Sequence, residues 1–255
     1  MLIRSEMGDF SMGKNLSSRR RRKRGNIIRT TLAVLFFMIG IGLLLLDPIK
    51  NYMIKRGQEV NAIHQLTREQ IEANEQRSVT YNFEDVGTLN PYTVISKNVD
   101  PKDLPTVGAI AIPSVKMNLP IYKGVSDEGM YLGAGTLLAD QKMGESNYPL
   151  ASHHSIHKEL LFAPLINVNI GDFVYLTDLA KVYKYEIFYY EQVPATRIDL
   201  IEPTQEAIVT LITCDSSLVE RIVVQGKLVE STPIEKANKE MVEAFKLKLT
   251  RPDQQ

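Results

Sequence analysis

AIVTLITCDSSLVERIVVQGKLVE, residues 207–230, sets two β-branched runs on either side of a polar loop. Short runs of Ile, Val, Thr and Leu bounded by Asp, Ser and Gly read as strands, because branched side chains fit a pleated, half-buried surface. TLITC ends at Cys214, and Arg221 opens the next run seven residues on. If the two runs are hairpin neighbours, the thiol and the guanidinium stand at one end of one sheet.

The same texture extends outward from this stretch. VGAIAIPSVKMNLPIYKGV (residues 107–125) and GDFVYLTDLAKVYKYEIFYYEQV (residues 171–193) are again β-branched runs broken by Pro, Gly, Asn and Asp. TDLAK, residues 177–181, predicts a hairpin turn between strands at 174–176 and 182–190. Many short strands at this spacing predict an all-β barrel or sandwich over residues 79–230. Residues 231–255 are expected to form an amphipathic helix and a tail, with Ser231 or Thr232 as cap before Pro233 and Ile234, Met241, Val242 and Phe245 on the apolar face.

At the other end the pattern is different. Residues 1–29 hold nine Lys or Arg against two acidic residues, although the formal net charge of the 255-residue chain is zero. The remainder is mildly acidic, with 21 basic and 28 acidic residues, which argues against a nucleic-acid partner. Residues 30–46, TTLAVLFFMIGIGLLLL, carry no charge and are just long enough to span a bilayer. A cleaved signal peptide shares the basic flank and the apolar run, but LLLLDPIK offers no small-x-small cleavage site. The expectation is therefore an uncleaved anchor: residues 1–29 cytoplasmic, 30–46 transmembrane, 47–78 an extracytoplasmic stalk rich in helix formers, and the body outside. His64 stands alone in the stalk and reads as a solvated side chain.

Cys214 is the single cysteine, so it has no internal disulfide partner. It is either a buried small hydrophobe or a nucleophile. A nucleophilic thiolate needs a base or cation nearby, and a tetrahedral intermediate needs donors for its oxyanion. Arg221 is a candidate donor. The histidines of the body crowd into YPLASHHSIHKELLF as His153, His154 and His157. No Cys or carboxylate stands beside them at a familiar zinc spacing, so an acid/base role fits better than a metal.

Several motifs in order carry a family resemblance. TLITC matches a TLxTC signature around a nucleophile, ERI supplies an arginine downstream, and NYPLASHHSIHKELLFAPLINVNIGD (residues 147–172) resembles the histidine region that precedes them. IAIPSVKMNLPIYKGVSDEGMYLGAGTL (residues 110–137) is similar to the stretch leading into it. The chain resembles a class A sortase, a membrane-anchored cysteine transpeptidase of Gram-positive bacteria. The resemblance implies an eight-stranded sortase β-barrel with short helices, preceded by one transmembrane helix. It aligns Cys214 with the nucleophile, Arg221 with the arginine at the substrate carbonyl, and His153 with the histidine acid. His153 is preferred to His154 because ASH falls on the family's AGH, with Ser152 in place of glycine.

The resemblance further implies an LPxTG-type sorting signal on exported surface proteins, and lipid II or another peptidoglycan-precursor amine as acceptor. Thr213 is then expected to add a polar contact, and Ala151 and Ile212 to form an apolar wall for Leu and Pro of the signal. No cofactor and no required metal are expected, since no acidic cluster maps onto a calcium site. Residues 81–94, YNFEDVGTLNPYTV, read as an appendage beside the groove or as a linker. Two further functions stay open: a pilin-polymerising sortase and an anchored β-barrel that only binds peptides. The first usually brings a second membrane segment and a lid motif, neither evident here, and the second leaves Cys214, His153 and Arg221 without a purpose.

Overall fold

A computed structural model describes residues 14–82, 100–155, 157–214 and 219–246. The chain divides into two compact units, Met1–Pro48 and Ile49–Gln255. Helix α1, Lys14–Val60, belongs to both. From Asn26 onward it is long and apolar enough to cross a membrane, and its apolar window is unburied. Pro48 lies inside it at the division between the units; its ring nitrogen has no proton to give the carbonyl one turn earlier.

In the second unit eight strands among the described residues close into a barrel: β1 (Thr106–Ile112), β2 (Met117–Tyr122), β3 (Ala134–Thr136), β4 (Asn147–Ala151), β5 (Phe173–Thr177), β6 (Lys181–Pro194), β7 (Ile208–Cys214) and β8 (Glu220–Pro233). Their order around the barrel is β1-β2-β3-β4-β7-β8-β6-β5. Closure leaves no free sheet edge. The β2–β3 and β4–β7 pairs are parallel and the rest antiparallel. The expected TDLAK hairpin joins β5 to β6, and β7 and β8 are neighbours paired from Ile208↔Lys227 to Cys214↔Arg221.

Alternation along the strands fills the interior with Ile110, Leu119, Ile121, Leu150, Leu176, Leu211 and Val224, all nearly inaccessible. A second apolar cluster covers the outside of β1 and β5, where Ala109, Ala111 and Tyr175 meet Ile63, Ile71, Met241 and Phe245. Ile71 comes from α2 (Arg68–Glu75), which Thr67 and Gln70 close with a capping box.

The segment expected to be a stalk is helical for much of its length. It packs on the barrel: Ile54, Ile63 and Ile71 are buried, while His64 is exposed. Two further helices are short: α3 (Asp127–Leu132), capped by Ser126, and α4 (Lys239–Lys246). The C-terminal helix thus begins later than the sequence suggests. Residues 231–233 complete β8, where Thr232 pairs with Val182, so the ladder with β6 takes them from the expected cap. Of the segment 81–94, Tyr81 packs against an apolar cluster beside β7, and residues 83–94 lie outside the described residues.

Candidate active site

The wall formed by β4, β7 and β8 carries the candidate residues, and its register decides which of them meet. Along β7, Val209 and Leu211 point into the barrel core, so Thr210, Ile212 and Cys214 point outward. Outward side chains of β4 and β8 join them in rows. The lowest row is polar: Thr210 Oγ1 donates to Asn147 Oδ1 (2.7 Å) and accepts from Gln225 Nε2 (3.1 Å). Asn147 Nδ2 donates to the carbonyls of Leu200 and Glu202, tying the β6–β7 connection to the wall. The middle row is apolar, with Ala151 opposite Ile212 and Ile212 opposite Val223.

At the strand end Cys214 pairs with Arg221 across the antiparallel ladder. Directly opposed residues share a face of the sheet with their Cβ atoms about 5 Å apart. The Cys214 side chain is half-buried. Arg221 Nη1 donates to the carbonyl of Glu220 (3.1 Å), and among the described residues no carboxylate pairs with the guanidinium.

The parallel partner brings the histidine. Beyond the last β4–β7 pair, Ala151↔Ile212, the Ser152 N–H still donates to the Ile212 carbonyl (3.2 Å), and Thr213 Oγ1 donates to the Ser152 carbonyl (3.0 Å). Continued by two residues, that register would bring His153 beside Cys214. The His153 imidazole is buried, with Nε2 lacking a hydrogen-bond partner among the described residues. Tyr131 of α3 stacks on it, ring centroids 5.1 Å apart and planes inclined by 24°. Burial pushes the His153 pKa down to about 4, and the negative charge of Asp127 on the same helix opposes that shift. The imidazole is therefore neutral at pH 7.

The other candidates fall as follows. Ala151 and Ile212 belong to one apolar cluster with Val125, Met130, Leu137, Tyr81 and Ile201, beside the Cys214 end of the wall. Thr213 is buried, and its hydroxyl proton is committed to Ser152. The histidine triplet disperses: His154 forms a backbone bridge with Leu161, and the exposed His157 accepts from Asn51 Nδ2 at 2.6 Å. Among the described residues no group of three or more His, Cys, Asp or Glu is arranged to hold a metal ion. Sequence reasoning missed Tyr131 and Asp127, whose contact with His153 is tertiary. It also missed the work of Ser152, whose Oγ donates to the Gly133 carbonyl (2.6 Å).

Comparison with known proteins agrees with this arrangement. A family model described as a sortase domain matches residues 110–229. Sortase A of Listeria monocytogenes serovar 1/2a is 36% identical over 217 residues, covering 84% of this chain and 96% of its own. Sortase A of Streptococcus agalactiae serotype III is 34% identical over 230 residues, covering 88% and 93%. The crystal structure of Listeria monocytogenes sortase A superposes with a TM-score of 0.52 at 37% identity, over 57% of this chain and 99% of that one. Sortase C-3 of Streptococcus pneumoniae shares the fold, with a TM-score of 0.56 at 18% identity over 77% of this chain and all of that one. With a closed eight-stranded barrel, one N-terminal apolar helix suited to membrane anchoring, and relatives matched over most of their length, the chain belongs to the sortase family of cysteine transpeptidases, in class A.

Proposed function

We propose that this transpeptidase cleaves an LPxTG-type sorting signal between Thr and Gly and joins the surface protein to the amine of a peptidoglycan precursor such as lipid II. The observation that carries the reading is the pairing of Cys214 with Arg221 on one side, with His153 two residues past the last β4–β7 pair, Ala151↔Ile212, on the other. The apolar cluster containing Ala151 and Ile212 suits the Leu and Pro of such a signal, since peptide pockets are mostly apolar. Thr213, whose hydroxyl donates to the Ser152 carbonyl, adds a polar group beside that pocket. No metal or cofactor enters the scheme.

In this scheme the Cys214 sulfur attacks the Thr carbonyl carbon while His153, neutral at pH 7, takes the thiol proton. Arg221 donates to the oxyanion of the tetrahedral intermediate. Collapse breaks the Thr–Gly bond, and His153 passes its proton to the departing Gly amine, leaving a thioester. The acceptor amine then attacks the thioester carbonyl and gives a proton back to His153, and the thiolate leaves and takes that proton, restoring the thiol and the neutral imidazole. A single proton site serves both halves of the exchange.

The basic flank of residues 1–29 and the apolar run of 30–46 support a single-pass anchor with the N-terminus in the cytoplasm and residues 47–255, which include the barrel and the C-terminal helix, outside. That topology brings the site to the face where exported clients and wall precursors meet. The test is to give the detergent-solubilised chain an LPxTG peptide with an amine acceptor and to read the products by mass spectrometry. Ligated peptide is expected from the parent chain, and Cys214→Ala is expected to give neither ligation nor cleavage. Ligation surviving in Cys214→Ala, or no turnover across sorting-signal variants by a folded parent, breaks the reading.

A further inference from the structure

Helix α3 is held between two other parts of the second unit. On one side Tyr131 stacks on His153, and Ser152 Oγ donates to the carbonyl of Gly133, the residue that ends α3. On the other side lies the C-terminal end of α1, past Pro48. Ile54 is fully buried and packs with Tyr131, Leu160 and Leu161. At Gly57 the approach is closer still, for a Cβ there would stand 2.7 Å from Leu132 Cδ2. The same end of α1 also grips the chain that follows His153, through Asn51 Nδ2 to His157 Nε2.

The His153 ring itself is weakly constrained by hydrogen bonds. Its Nε2 has no partner among the described residues, and the residue lies beyond the last ladder pair of β4. Tyr131, which stacks on its face, therefore bears on its orientation. Stacked rings hold each other through dispersion and their quadrupoles, so the plane of one follows the plane of the other. Tyr131 in turn is packed in one buried cluster with Ile54, Leu160 and Leu161, and Ile54 is the member that α1 supplies.

We infer that residues 51–57 of α1, the part of the helix past Pro48, act through Tyr131 as a positioning element for His153. A helix expected to be a stalk thereby joins the site without touching substrate. Tyr131 and Ile54 take no part in bond making. Their contribution is a near-attack placement of the imidazole, and misplacement of an acid/base group by less than 1 Å is enough to slow both proton transfers.

The inference rests on the transpeptidase reading, so its test carries one readout that needs no turnover. The full chain in detergent micelles, with ring-labelled histidine, reports the His153 imidazole by NMR, assigned with His153→Gln. Tyr131→Leu and Ile54→Ala are expected to move the His153 ring protons downfield, out of the shielding of the Tyr131 ring. Where a sorting-signal peptide is turned over, both variants lower kcat about tenfold with KM within about twofold. Tyr131→Phe keeps the ring and is expected to match the parent in both readouts. Ile54→Val, a smaller deletion, gives the same shift in lesser degree if Ile54→Ala fails to fold.

Unmoved His153 signals in folded Ile54 variants overturn the inference, as does a loss expressed wholly in KM, or Tyr131→Phe behaving like Tyr131→Leu. A parent chain that turns over no peptide breaks the transpeptidase reading instead, and the imidazole signals still decide the positioning role.

Discussion

The two sides of the Cys214 position are built in opposite ways. On one side Arg221 is fixed by an antiparallel ladder that runs from Ile208↔Lys227 to Cys214↔Arg221 between neighbouring strands. On the other, His153 stands past the end of a five-residue strand, stacked on Tyr131 of α3 and next to Ser152, whose hydroxyl donates to the Gly133 carbonyl. Backbone register is a digital constraint, since a slip of one residue moves every side chain to the other face. Side-chain packing is graded and gives way by fractions of an ångström. The arginine side should therefore fail in large steps and the histidine side in small ones.

The largest effect is expected where the digital side is altered chemically. Arg221→Lys preserves the charge and the strand but loses the planar fork of donors. Removing an oxyanion donor costs about two to three orders of magnitude in turnover. The loss is expected in kcat, with KM for the sorting-signal peptide little changed, measured by product formation in the detergent-solubilised chain. A variant within a few-fold of the parent would mean that Arg221 only lines the site, and the contrast between the two sides would lose its chemical half.

Next comes the cost of burying His153. Its pKa near 4 lies below the ordinary 6.5, so the folded chain holds fewer protons at this site than the unfolded chain between those values. Stability from this group is complete above pH 6.5 and is lost as pH falls towards 4, by about 3 kcal/mol in all. Urea unfolding of the parent and of His153→Gln, compared at pH 7 and pH 4.5, isolates the contribution from the carboxylates that titrate alongside. The parent is expected to lose more than the variant. Equal losses would place the imidazole in a wetter, looser setting than the stack with Tyr131 implies.

The same division explains what was legible in the sequence. The β-branched texture, the polar loop between TLITC and ERI and the TDLAK turn are local signals, and the strands, the β7–β8 pairing and the Cys214–Arg221 pair follow them. The choice among His153, His154 and His157 required a family pattern, because three histidines within five positions share one local context. The structure separates them by contacts from distant segments: Tyr131 at His153, Leu161 at His154, Asn51 at His157. The docking of residues 49–75 on the barrel was hidden for a similar reason. Ile54, Ile63 and Ile71 are scattered through polar sequence, so their burial shows only once the rest of the fold offers two apolar clusters to receive them.

Ser152 offers the finest test of the graded side. The family pattern has glycine at this position, and here the serine hydroxyl bonds the carbonyl that ends α3, at 2.6 Å between two buried residues. Ser152→Gly removes the donor and leaves the Gly133 carbonyl unsatisfied, while the Ser152 N–H and C=O bonds to β7 remain available. Such a loss costs about 1–3 kcal/mol where water does not replace the donor. Since the backbone register is untouched, Arg221 and Cys214 stay opposed, and the damage is confined to the seat of α3 against the histidine. The expected result is a melting temperature lower by a few degrees, kcat reduced about two- to threefold and KM unchanged, because a half-ångström drift of Tyr131 tilts His153 without removing it. A variant that melts earlier yet keeps the parent kcat would show that the Tyr131 stack alone suffices to hold the imidazole. A loss as deep as that of Arg221→Lys would show the histidine side to be as tightly specified as the arginine side.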